Sequence, residues 1–262
     1  MTRRLSLFLL AAVPALVAAE RPFHIAIQGA RPLRQAGWGL REQLHWRVTF
    51  EEAPVLASAE LDSTIAPNGR AVYFRRATPL FFDAVVSATP ATREAKQRVM
   101  DALLAAYNRG ASTSYRYVIS GDFIHIVPDR APAPDGSLHS VPSMLDTPVS
   151  ITRGTYGLGQ LVAMVFQQVS KGIGIPIVDG TVPMNVVVHS QVTEEAHGEP
   201  AREVLIRAFE EIEGPRLAWH AGRVRLTWDV AYDPTDRYYM YNINSVFEES
   251  ESSPAPAYRK PK

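Results

Sequence analysis

Phe23, Ile25 and Ile27 alternate with His24 and Ala26, the two-residue period of a half-buried strand. Pro32 then opens a helical stripe through Leu33, Ala36, Leu40 and Leu44. Proline is tolerated there because the first amides of a helix have no intrahelical acceptor. His45–Phe50 returns to the strand period, with Trp46, Val48 and Phe50 on one face. Residues 51–70 lose periodicity and read as a surface excursion ending at the turn Pro67-Asn68-Gly69, followed by a strand over Ala71–Phe74. Thr92–Asn108 predicts a helix with Ala95, Val99, Ala102, Leu103 and Ala106 on one face. Tyr115–Ile119 and Phe123–Val127 flank Ser120-Gly121-Asp122 and read as a hairpin.

Pro and Gly then concentrate from Pro128 to about Met144, so 128–145 reads as a linker or long loop. Beyond it the spacing predicts a strand over Pro148–Thr152 and a helix carrying Leu158, Leu161, Val162, Val165 and Val169, capped by Gly172. A strand follows at Ile175–Val178, and the β-branched run Asn185–His189 predicts another. The helix opened by Pro200 buries Ala201, Val204, Leu205, Ala208 and Ile212. Short strands at Leu217–Trp219, Val224–Trp228 and Arg237–Asn242 complete the chain, with 246–262 a loose polar tail.

The order strand–helix–strand, then strand–helix–hairpin, occurs over 22–127 and again over 146–245. Such segments bury their apolar faces only by packing a helix layer on a sheet, so the expected fold class is α+β, with two repeated two-layer units. On this reading 146–245 folds by itself, with Leu161 at the centre of its helix stripe.

Composition adds an address. Met1–Ala19 joins a positive start at Arg3 and Arg4 to an apolar run ending in small residues, the pattern of a signal peptide cleaved after Ala19. Export to the periplasm or beyond is the expectation, without stable membrane insertion, because the apolar run is short of a spanning helix. The chain has no cysteine, which removes disulfides, thiolate nucleophiles and cysteine-based metal sites. The 27 basic and 27 acidic residues balance, and this argues against nucleic acid as a partner.

The stretches FHIAIQGARPLRQAGWGLREQLHWRVTF and EAKQRVMDALLAAYNRGASTSYRYVISGDFIHIVP resemble the two halves of the short N-terminal domain of secretins and TonB-dependent receptors. Pro32-Leu33 with Leu40, and Leu104, Tyr117, Gly121, Ile124 and Ile126, carry the likeness. Val149–Ile151, the helix near 158–169, Ile175–Val178, Val186–Val188 and EPAREVLIRAFEEIEGPRLAW follow the same order, as in a second copy. The likeness extends to exported bacterial proteins with the same paired plan. No long β-rich region follows that could build an outer-membrane channel. What the resemblance implies is a docking or signalling module contacting envelope proteins, not catalysis.

Candidate chemistry is sparse. His24, His125 and His189 lie in strand patterns, and none of the seven histidines forms a compact metal motif. His189 with Glu194 or Glu195 is the one conceivable histidine–carboxylate site. Glu210 and Glu211 diverge on a helix, and GTYGLGQ at 154–160 lacks the phosphate-loop pattern. Arg75-Arg76 and Arg223/Arg225 could attract an anion. Trp46, Tyr115, Tyr117, Trp219, Trp228, Tyr238, Tyr239 and Tyr241 fall on predicted strands, where an outward aromatic or a free strand edge would suit protein or glycan contact. No catalytic residue, cofactor or metal ligand is assigned, and the binding face stays open. The leading expectation is a noncatalytic docking or scaffolding protein for an envelope protein or glycan. The alternative is an envelope hydrolase or glycan-processing enzyme with a site between the halves.

Overall fold

The computed structural model describes residues 20–55, 60–87, 92–212 and 223–248. The fold is α+β. In the first half, β1 (Glu20–Ile27) and β5 (Leu80–Ser87) form an antiparallel ribbon. Strand β2 (Arg47–Glu51) runs parallel to β7 (Phe123–Pro132), which pairs antiparallel with β6 (Ser114–Ser120). Helix α1 (Pro32–Leu44) touches β1 and β2, and α2 (Arg93–Asn108) touches β5 and β6, so both helices lie between ribbon and sheet. In the second half, β9 (Pro148–Gly157) and β11 (Gln191–Pro200) form the ribbon. There β10 (Ile177–Asp179) runs parallel to β13 (Tyr238–Glu248), which pairs antiparallel with β12 (Arg223–Asp233). Helices α3 (Leu158–Ile173) and α5 (Ala201–Glu211) again bridge ribbon and sheet.

The halves share one sheet. Strand β12 pairs parallel with β2 through Asp229 opposite Phe50 and Val230 opposite Glu51, giving the order β10-β13-β12-β2-β7-β6. Register assigns the two cores to opposite faces. Val48, Phe50, Ile124 and Ile126 point into the core under α1 and α2, whereas Leu226, Trp228, Val230 and Tyr241 point into the core under α3 and α5. Each helix layer therefore reaches past its own strands onto the back of its neighbour's.

Several local expectations change. Asn185–His189, expected as a strand, lies in the short helix α4 (Met184–His189). The amides of Val186 and Val187 bond to the Pro183 carbonyl, and Val187 packs on α3 where Gly159 leaves room; a Cβ at 159 would stand 2.8 Å from Val187 Cγ1. Packing thus overrides the β-propensity of three consecutive valines. Residues 61–65, read as part of an excursion, form β3 (Leu61–Ile65), which pairs with β4 (Ala71–Arg75). The 128–145 stretch holds the end of β7, then β8 (Leu138–Ser140) and a tight turn at Met144–Asp146. Gly174, at φ 70°, caps α3 in place of Gly172. Leu217–Trp219 and the expected leader, residues 1–19, lie outside the described residues, as does the chain beyond 248. Among the described residues no helix is long and apolar enough to cross a membrane.

Candidate functional site

Where the halves meet, the sheet carries charge in its interior. Strand β2 reads Arg-x-Thr-x-Glu from Arg47 to Glu51, and β12 reads Arg-x-Thr-x-Asp from Arg225 to Asp229. Because the adjacent strands expose opposite faces to their cores, the two polar rows point to opposite sides of the sheet. Arg47 donates to the Leu226 carbonyl of β12 at 2.9 Å, and Arg225 donates at 3.1 Å to the carbonyl of His45, which caps α1 just before β2. Thr227 donates to the Val48 carbonyl at 2.8 Å. The acidic ends are neutralised crosswise. Glu51 meets Arg202 of α5 at 3.1 Å, and Asp229 meets Arg34 of α1 at 2.7 Å, with Arg41 behind it at 3.9 Å. Burial lowers Arg41 to about 10, against the pull of Asp229. Burial raises Glu51, with Arg202 opposing.

At the C-terminal end of β2 this seam opens into a cleft of about 510 Å³. Its lining includes Pro54, Pro128 and Val141, which packs on the first core, and Met144, Ile175 and Tyr239, which belong to the second. The volume suits a small ligand or one or two inserted side chains, and mostly apolar walls with a few polar groups are the usual composition of such sites. Glu52, Ser143 and Asp146 also line it. All three are engaged. Glu52 takes Arg31 and Arg75, both at 2.8 Å, and accepts the Tyr232 amide at 2.8 Å. Ser143 donates to Glu51, while Asp146 meets Arg202 at 2.8 Å. Behind Glu52, Tyr115 is pushed up to about 12 by burial, despite the nearby Arg75 guanidinium.

The sequence candidates scatter. His24 pairs with Asp83 on the outside of the first ribbon, and His189 stands exposed on α4. Glu194 binds Arg207 at 2.9 Å and Glu195 binds His197 at 3.0 Å, so both carboxylates of the conceived His189 site are turned to other partners. His125 is buried against Phe123 and Trp228. Glu211 accepts the Thr193 amide at 3.0 Å, and Glu210 is exposed. Gly157 opens α3, as a helix entrance rather than a phosphate loop. Arg75 is inside the Glu52 cluster, Arg76 pairs with Asp62, and Arg225 binds Asp122. Trp46, Tyr115, Trp228, Tyr239 and Tyr241 are buried, Tyr117 and Tyr238 are half-buried, and Trp219 lies outside the described residues. Among the described residues no group of three histidines or carboxylates could hold a metal.

Among the described residues, Tyr239 is the one proposed aromatic that lines the cleft. Glu51 and Asp229 are not marked by the sequence because a charged residue at every second strand position reads as a solvent face, and Glu52 and Arg202 gain their meaning only from partners across the seam. The available signal was the matched Arg-x-Thr-x-acid pair, RVTFE and RLTWD. No family model, curated protein or solved structure matches the chain.

Proposed function

We propose that the chain is an exported docking protein that seats an apolar segment of an envelope protein in the cleft between its halves. The cleft itself carries this reading: prolines, Met144, Ile175 and Tyr239 form apolar walls from both halves, while the carboxylates beside them are bound to arginines. Carboxylates so engaged form a fixed polar rim. A preformed apolar recess with a fixed polar edge favours one or two anchor side chains, which is how most docking interfaces concentrate their affinity. A relation to the short domains of secretins and TonB-dependent receptors is part of this proposal and rests on the sequence likeness. In each half a two-stranded ribbon and a three-stranded sheet enclose two helices, with the same order of parallel and antiparallel partners. The leader supports placement in the periplasm or beyond.

The test compares the full chain with Ile175→Glu, which puts a carboxylate on the cleft wall, and with Trp38→Ala on the exposed face of α1, outside the cleft lining. Each protein is immobilised and offered an envelope extract, after a melt confirms that it is folded. A partner retained by wild type and Trp38→Ala but lost by Ile175→Glu supports docking in the cleft. A partner retained equally by all three removes the cleft as the site.

A further inference from the structure

The outer surface of α1 carries chemistry outside the cleft lining, joined to it where Arg31 reaches Glu52. Arg31, Arg34, Gln35 and Trp38 recur along one helical stripe and, with Ala30, line a separate recess of about 240 Å³. Trp38 is 53% exposed, whereas Trp46 and Trp228 are 4% and 1% exposed. A solvated indole forgoes the burial the other two enjoy, and it presents a flat apolar face with one N–H donor at its edge. The arginines beside it are pre-positioned. Arg31 is bonded through Nε to Glu52 at 2.8 Å and through Nη2 to the Tyr232 carbonyl at 2.6 Å. Arg34 is bonded through Nε to Asp229 at 2.7 Å. Each guanidinium has five N–H donors, so both retain donors beyond these bonds, and their side chains stay 31% and 27% exposed. The recess lining contains two arginines, one amide and no carboxylate.

A flat apolar platform beside fixed guanidinium donors and a side-chain amide matches a sugar ring bearing a carboxylate. The ring's C–H face lies on the indole, the carboxylate takes an arginine fork, and hydroxyls bond the amide. A simple anion would have no use for the indole, and an apolar ligand none for the arginines. The buried carboxylates that hold Arg31 and Arg34 also limit the entropy lost when a ligand is gripped. We propose that this recess on α1 is a binding site for acidic saccharides, with Trp38 as stacking platform, Arg34 as carboxylate partner and Gln35 as hydroxyl partner. The recess and the cleft share no lining residue but are linked through Arg31, which lines the recess and binds Glu52 of the cleft, and together they would let one molecule hold a protein segment and an acidic glycan at once.

The full chain is titrated with hexagalacturonate, and with maltohexaose as a neutral oligomer of equal length, by calorimetry and tryptophan fluorescence. The expected result is saturable binding of the acidic hexamer, at least about tenfold tighter than the neutral one, with a change in indole emission. Trp38→Ala should weaken it by about tenfold or more, and Gln35→Ala by a smaller factor. Both residues are exposed, so near-ultraviolet circular dichroism and melting should be unchanged apart from the lost indole. Ile175→Glu should bind the hexamer as wild type does. Absence of saturable binding, equal affinity for the neutral hexamer, or undiminished affinity in Trp38→Ala would each overturn the site. Loss of binding in a folded Ile175→Glu would do the same, by moving the saccharide into the cleft.

Discussion

Glu51 on β2 and Arg202 on α5 meet 3.1 Å apart across the line between the halves, with side chains 0% and 8% exposed. A buried ion pair need not exceed its own desolvation cost, but removing one partner leaves an uncompensated charge. Arg202→Met should therefore destabilise the protein by about 3–5 kcal/mol in urea melts. Adding Glu51→Gln to that variant should recover a large part of the loss, because the stranded carboxylate is gone. A single variant within about 1 kcal/mol of wild type would show that the pair contributes little to the seam.

His125 gives the acid limb of stability. Its Nδ1 lies 2.8 Å from Thr49 Oγ1, and its ring stacks with those of Phe123 and Trp228. Burial, then the nearby charges of Arg202 and Arg47, lowers its pKa from 6.5 to about 3. The unfolded chain accepts a proton below about pH 6.5 that the folded chain refuses. Stability therefore falls as pH drops from about 6.5 towards about 3, by up to ~1.4 kcal/mol per pH unit. Between pH 7 and pH 5, wild type should lose about 2 kcal/mol more than His125→Gln. Parallel pH curves for the two proteins would mean that the folded state takes up this proton.

The shared sheet revises the expectation that 146–245 folds alone. Without residues 20–145, β12 loses its neighbour β2, Asp229 loses Arg34 and Arg41, and Arg202 loses Glu51. Residues 146–248 alone should lack a cooperative melt and gain one when mixed with residues 20–145. Leu161 is fully buried, so Leu161→Ala should cost about 2–5 kcal/mol. It should shift one transition of the whole protein, seen equally by circular dichroism and by Trp46 fluorescence in the other half. Two separated transitions would restore the picture of independent units.

Elements whose apolar period is clean were legible. The stripes of α1, α3 and α5 and the hairpin of β6 and β7 follow from spacing alone, because each buries one face against one layer. β11 was not legible. Its inward positions Val192, Glu194 and Ala196 include a buried carboxylate held by Arg207, which breaks the alternation. β5 was hidden for the opposite reason. Phe81 and Val85 are apolar yet exposed, so no polar face marks the strand period. The cleft could not be foreseen, since Pro54, Met144 and Tyr239 become neighbours only when β12 joins β2. Trp38 was likewise read only as part of a helix, because a single sequence does not show on which side of the stripe the solvent lies.

The parallel pairing of β2 with β12 runs through just two residue pairs, and most of the joint is made by arginine and threonine side chains clasping the opposite backbone. Such a joint behaves mechanically as a riveted axle. Arg47 and Arg225 each carry a guanidinium across it to a backbone carbonyl of the other half, beside a ladder of two residue pairs. The cleft sits at the end of that axle with one wall on each side, so a small rotation changes its width. A guest in the proposed site would press on both halves at once, and Arg47→Lys, which loses the fork on the Leu226 carbonyl, is expected to shift the two walls against each other.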